Sequence, residues 1–183
     1  MFNKKKFISE IDSQGYSVIR NVLPLEYINE VKEKLKQAIS KESNFHKTKG
    51  YSDYAMVLLC PLYDKIFSEL FDFPLISEPV ESILGEGSIT YAYTSSSMPP
   101  NGKNYSARIH KDCPRIIPNY ITNLGATILL DDFTAENGAT WFWPNSQGIE
   151  TPPSSEEFYS NAIRLIEKAG SVWFFNANVW HAG

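Results

Sequence analysis

The chain has 183 residues, with 17 lysines and arginines against 21 aspartates and glutamates, a formal net charge of −4 and 43% hydrophobic residues. That length and apolar fraction suit one α+β domain with a substantial core and exclude a disordered chain, which needs low hydropathy and high net charge. The mild acidity excludes sequence-independent nucleic-acid binding, which draws its affinity from clustered Lys and Arg. Lys4, Lys5 and Lys6 form a basic run, but Glu10 and Asp12 interrupt the apolar stretch that a signal peptide needs. The longest apolar stretch, Met56 to Leu62, is far too short for a membrane span and contains Pro61. Cys60 and Cys113 lie far apart in no metal-like spacing, so a reducing, cytoplasmic setting is the expectation.

Phe7, Ile8 and Ile11 stand at helical spacing before Gly15, and Tyr16 to Arg20 alternates as a short strand ended by Asn21 and Pro24. Leu25 to Ile39 reads as the clearest helix, with Ile28, Val31, Leu35 and Ile39 on one face and charged residues on the other. Residues 41–53 read as loop, 62–71 as a second helix, and Ser77 to Leu84 as a third that stops at Gly85. After Gly87 the pattern changes to short β-rich segments at 88–95, 106–112, 125–131, 139–144 and 171–176, with one helix expected at 158–168. Such spacing suggests a sandwich or jelly roll with the early helices packed on one sheet.

Three histidines are present. His46, beside Lys47 and Lys49, reads as a surface side chain. His110 and Asp112 are two apart in a strand-like segment, so both point to one face and can grip one ion. His181 follows the apolar run Ser171 to Asn176. Two imidazoles and a carboxylate on one face of a metal form the facial triad of non-haem Fe(II) oxygenases. The His-x-Asp spacing alone is weak: with 21 acidic residues in 183, a histidine has about a 0.1 chance of such a neighbour.

Longer motifs carry more weight. The stretch Asp132-Phe-Thr-Ala-Glu-Asn-Gly-Ala-Thr-Trp-Phe-Trp-Pro-Asn-Ser-Gln147 resembles the D-x-T-x-E-N-G-x-x-x-x-x-P-G-S-H segment of the phytanoyl-CoA dioxygenase family. It lies between His110-Lys-Asp112 and the distal histidine of Ala169-Gly-Ser-Val-Trp-Phe-Phe-Asn-Ala-Asn-Val-Trp-His181, in the family's order. Gly15-Tyr-Ser-Val-Ile-Arg-Asn-Val-Leu-Pro24, followed by a helix, is similar to its amino-terminal signature. The resemblance implies a double-stranded β-helix (a cupin-like jelly roll) that holds Fe(II) through His110, Asp112 and His181. It also implies 2-oxoglutarate as co-substrate, O2 as oxidant, and hydroxylation of a small-molecule substrate with release of succinate and CO2.

Departures from the family pattern set further expectations. Asn145-Ser146-Gln147 replaces Gly-Ser-His in what reads as a turn, and Lys111 should point away from the metal. Thr127 stands where several members place a Trp beside 2-oxoglutarate, and Tyr93 is a second candidate border of the co-substrate; both positions also suit ordinary wall residues. The family's arginine for the far carboxylate of 2-oxoglutarate, about ten residues past the distal histidine, has no counterpart before Gly183. The expectation is therefore a single domain over 1–183 that lacks its C-terminal strand or strands. Lys103, Arg108 and Arg115 read as solvated surface rather than as that arginine. Trp141, Trp143, Trp173 and Trp180 read as sheet core or as pocket lining, and Asp131-Asp132 as the start of a turn rather than a second metal site. Residues 41–53, 96–107, 113–124 and 148–160 form the expected rim. A catalytically inactive jelly-roll module that binds a metal or ligand, and a cupin-like metalloenzyme without 2-oxoglutarate, are the competing readings; the Glu-Asn-Gly stretch argues against the latter. Monomer and homodimer are both compatible with the sequence.

Overall fold

The computed structural model describes residues 2–49, 56–98 and 105–183, with the side chains of 43–49 and 105 left aside. Helix α1 (Lys4–Gln14) is opened by Asn3, whose side chain accepts from the Lys6 amide, and is closed by Gly15 at φ 83°. That left-handed geometry favours glycine. The chain turns directly into strand β1 (Tyr16–Ile19). Helix α2 (Leu25–Lys49) runs well past the expected end into the segment read as loop. It buries Ile28, Val31 and Ala38, while Lys32 and Lys34 reach out to Asp131 and Asp64 at 2.5 and 2.8 Å. His46 falls on this helix, and its side chain lies outside the described residues.

The helix expected over 62–71 is broken into a 3-10 turn (Cys60–Leu62), the short helix α3 (Ile66–Glu69) and a second 3-10 turn (Leu70–Asp72). The physical reason is local: the Asp64 carboxylate accepts from the Ile66 amide at 3.1 Å, an Asx-type contact that diverts the backbone. Helix α4 (Pro74–Leu84) starts on Pro74, ahead of the expected Ser77 because proline suits the first helical turn, and stops at Gly85 as expected.

Strand β2 (Leu124–Ile128), strand β3 (Trp141–Phe142), helix α5 (Ser155–Asn161), strand β4 (Ile163–Arg164), strand β5 (Val172–Asn176) and strand β6 (His181–Ala182) complete the described elements. The expected helix at 158–168 ends early because Ile163 and Arg164 pair with Phe142 and Trp141, and Leu165 donates to the Thr140 carbonyl. Segments 88–95 and 106–112 make isolated bridges instead of continuous strands: Leu59 with Tyr93, Val57 with Ser95, and His110 with His181.

Two three-stranded antiparallel sheets result, ordered β1-β5-β2 and β4-β3-β6. The fold is mixed α+β, with the amino-terminal helices on one side of the first sheet. Central strand β5 is buried along its whole length, which is why it reads as a continuous apolar run. Val172 and Phe174 face the helices, where Phe174 meets Phe7 edge to face at 5.3 Å. Trp173 and Phe175 face the other way, toward Phe142 of the second sheet. No helix among the described residues is long and apolar enough to cross a membrane. Cys60 and Cys113 are both free thiols.

Candidate metal centre

His181 opens β6 and pairs across from Phe142 of β3, so its side chain enters the space between the sheets. His110 reaches the same place through an isolated antiparallel bridge, each histidine amide donating to the other's carbonyl at 2.9 and 3.0 Å. Asp112, two residues on, returns to the same side. His110 Nε2 lies 3.4 Å and His181 Nε2 3.7 Å from Asp112 Oδ1, and one donor atom from each of the three residues falls within 4.8 Å of the others.

The tautomers are set by the backbone. His110 Nδ1 lies 2.7 Å from the Arg108 carbonyl and His181 Nδ1 3.0 Å from the Val179 carbonyl. A carbonyl can only accept, so each Nδ1 carries the proton and each Nε2 presents its lone pair to the shared space. Orientation of a ligating imidazole through its other nitrogen is what metal sites require. Two neutral Nε2 atoms and one carboxylate oxygen make a donor set that fits a divalent first-row metal.

The environments of the two imidazoles differ. Burial pulls the His181 pKa down, so that ring is neutral at pH 7. Burial also opposes the charged form of His110, but the Asp112 carboxylate and the Arg108 carbonyl outweigh it and the pKa rises. Asp112 is lowered: desolvation works against its charge, and the contact with His110 together with the charges of both imidazoles overcomes it.

A family model described as phytanoyl-CoA dioxygenase (PhyH) matches residues 11–183, from α1 through all three of these side chains. The chain belongs to the phytanoyl-CoA dioxygenase family. Two uncharacterized proteins, one from Mycobacterium bovis and one from Mycobacterium tuberculosis, are each 24% identical to it over 176 residues, covering 92% of this chain. The chain spans 64% of the length of these relatives. Among solved structures, EvdMO1 superposes with a TM-score of 0.70 at 16% identity, over 97% of this chain and 45% of that one. Apo HygX from Streptomyces hygroscopicus does so with a TM-score of 0.70 at 12% identity, over 99% and 80%. These likenesses establish a shared fold. Members of the phytanoyl-CoA dioxygenase family are Fe(II)- and 2-oxoglutarate-dependent oxygenases of small molecules, and His110, Asp112 and His181 form the candidate triad for such an iron.

The other expected residues separate. Thr127 of β2 sits directly across from Trp173, on the sheet face that carries Phe175 toward His181. Tyr93 stands on the helix side instead: its hydroxyl donates to the Phe67 carbonyl at 2.9 Å, its ring meets Phe71 at 5.3 Å, and burial pushes its pKa up. Lys111 points away from the triad, its ammonium 5.1 Å from the Trp180 ring and 3.5 Å from the Gln147 carbonyl. The Asp132 carboxylate accepts from the Ala169 amide and pairs with Lys168, while its backbone carbonyl accepts from the Asn137 side chain across the turn expected to start here. Trp141 carries the Arg164 guanidinium on its face at 4.6 Å, outside the intersheet space. Lys103 lies outside the described residues.

Three positions that matter here escape the sequence reading. Phe175 packs against His181 with ring centroids 5.1 Å apart. Gly125 lies beneath the Phe175 ring, where any Cβ would be no farther than 2.7 Å from three ring atoms. Asn178 donates its side-chain amide to the Cys113 and Arg115 carbonyls at 2.6 and 2.8 Å, tying the segment after Asp112 to the turn before His181. Its available signal is Asn176-Ala-Asn178 between two β-like stretches, a turn composition. Asn178→Ala leaves both carbonyls without their donor and is expected to lower stability by about 1–3 kcal/mol in chemical denaturation.

Proposed function

We propose that the protein is an Fe(II)- and 2-oxoglutarate-dependent dioxygenase that hydroxylates a small-molecule metabolite with release of succinate and CO2. The two short sheets belong, in this reading, to a double-stranded β-helix with the amino-terminal helices packed on one of them. One observation carries the proposal: His110 Nε2, His181 Nε2 and Asp112 Oδ1 converge from separate segments with both Nδ1 protons held by backbone carbonyls.

His110, Asp112 and His181 are the side chains that hold the iron, which supplies activation of O2 when bound. Asp112 would contribute the negative charge that offsets a metal's, and the two imidazoles would present neutral Nε2 donors beside it. Phe142, Trp173 and Phe175 keep one flank of the centre dry, which protects a reactive site from side reactions. Thr127 is the candidate for the co-substrate wall, because it shares the face that meets His181. Tyr93, with its hydroxyl bonded to Phe67, has less support in that role.

The test is succinate production by purified protein supplied with Fe(II), ascorbate, 2-oxoglutarate and a panel of small metabolites. Succinate above the protein-free background is expected, and its loss in His110→Ala. Metal binding with no affinity for 2-oxoglutarate would instead establish a non-catalytic metal-binding module.

A further inference from the structure

His110 and His181 exchange both backbone bonds, each amide donating to the other's carbonyl. In an antiparallel pairing the next facing residues are then Lys111 and Trp180. Such a neighbouring pair has no backbone bonds of its own, brings its side chains closest together, and places them on the opposite side from the histidines. The Lys111 ammonium lies 5.1 Å from the centre of the Trp180 ring, within the range in which a cation is attracted to an indole face. Trp180 is a fixed plate for it. The residue is 7% exposed, its amide donates to Ser146 Oγ at 2.9 Å, its carbonyl accepts from the Trp143 amide at 3.0 Å, and its Nε1 donates to the Ile149 carbonyl at 2.9 Å. The ammonium also lies 3.5 Å from the Gln147 carbonyl of the same turn.

The candidate ligand next to this contact is the least enclosed of the three. The Asp112 side chain is 48% exposed, against 22% for His110 and 8% for His181. Its backbone is tied down after it, where the Cys113 amide donates to the Ala177 carbonyl at 3.0 Å and the Cys113 carbonyl accepts from Asn178 at 2.6 Å. Before it, the side-chain tether is Lys111 on Trp180. Given the metal centre read above, we propose that Lys111 is a positioning residue: seated on the Trp180 ring behind the centre, it fixes the peptide from which Asp112 projects. Asp112 Oδ1 is thereby kept 3.4 and 3.7 Å from the two Nε2 atoms. A partner that orients a ligand without touching the metal still governs affinity. The sign of the effect is diagnostic. A lysine acting only through its charge repels a dication, so removing that charge would tighten metal binding; a lysine that positions Asp112 has the opposite effect.

The experiment titrates the full chain with Co(II), reading affinity and the visible spectrum of the bound ion. Lys111→Met keeps the alkyl stem and removes the cation; it is expected to weaken Co(II) binding about tenfold and to alter the spectrum. Lys111→Arg, which keeps a cation able to stack on the ring, is expected to bind like the parent. In an Asp112→Ala background Lys111→Met is expected to cause no further loss, because the ligand through which it acts is gone. Co(II) binding by Lys111→Met as tight as the parent's or tighter overturns the positioning role and leaves the metal centre standing. Equal losses in Lys111→Met and Lys111→Arg, or the same loss with and without Asp112, overturn it likewise. If the parent chain binds no Co(II), the metal centre and the role of Lys111 fall together.

Discussion

Asp112→Ala is expected to reduce divalent-metal affinity at least a hundredfold, measured by titration with Co(II) or Fe(II) under anaerobic conditions. Outer-shell partners of metal ligands are worth about 10- to 100-fold in affinity, and a direct ligand exceeds them. Asp112 is also the only anionic member of the triad, so its loss leaves two neutral imidazoles facing a dication. The pH dependence separates this from simple misfolding. In the metal-free protein His110 carries a raised pKa, and its Nε2 must be unprotonated to ligate. Affinity is therefore expected to climb as pH rises through that pKa and to level off above it. His181, lowered by burial, is already neutral there and adds no second step. In Asp112→Ala the carboxylate that helps raise His110 is gone, so the midpoint of the residual weak binding should move to lower pH. Unchanged affinity in the variant would remove Asp112 from the centre.

The second large effect concerns a residue with no side chain. Gly125→Ala places a methyl group into the Phe175 ring, and the ring has nowhere to go: Trp173 is stacked on it, Phe142 approaches at 6.4 Å and His181 at 5.1 Å. Overpacking of this kind costs about 1–3 kcal/mol, and Gly125→Ala is expected toward the upper end because the strain meets four rings rather than a flexible chain. Since Phe175 lies against His181, metal affinity should fall along with the melting temperature. Phe175→Leu in the same chain should recover most of the stability by vacating the space. A Gly125→Ala protein as stable as the parent would show that the ring does not lie over the glycine.

Much of the framework was legible. The 3.6-residue spacing of Ile28, Val31 and Leu35 marks α2, the unbroken Val172 to Phe175 run marks a strand buried on both faces, and Gly85 ends α4. Reading failed where a long-range partner or a local side-chain contact outweighed periodicity. Residues 163–164 have helical company on the amino-terminal side, yet they pair with β3, while Asp64 breaks the helix expected through it. Tyr93 sits in a strand-like stretch before the triad, but only the packing shows that its hydroxyl is taken by Phe67 on the far side of the first sheet.

The sequence by itself determined the family and named the three candidate ligands, because motif order and residue type survive in one dimension. Only the tertiary structure decided that the three donor atoms meet, through the mutual backbone bonds of His110 and His181, and that their Nδ1 protons point at carbonyls. It alone also assigned a reason to Gly125 and set the Lys111 ammonium over the Trp180 ring. The physical cause is common to all of these. Hydrogen-bond satisfaction and close packing are set by neighbours from distant segments, and no local pattern encodes who those neighbours are.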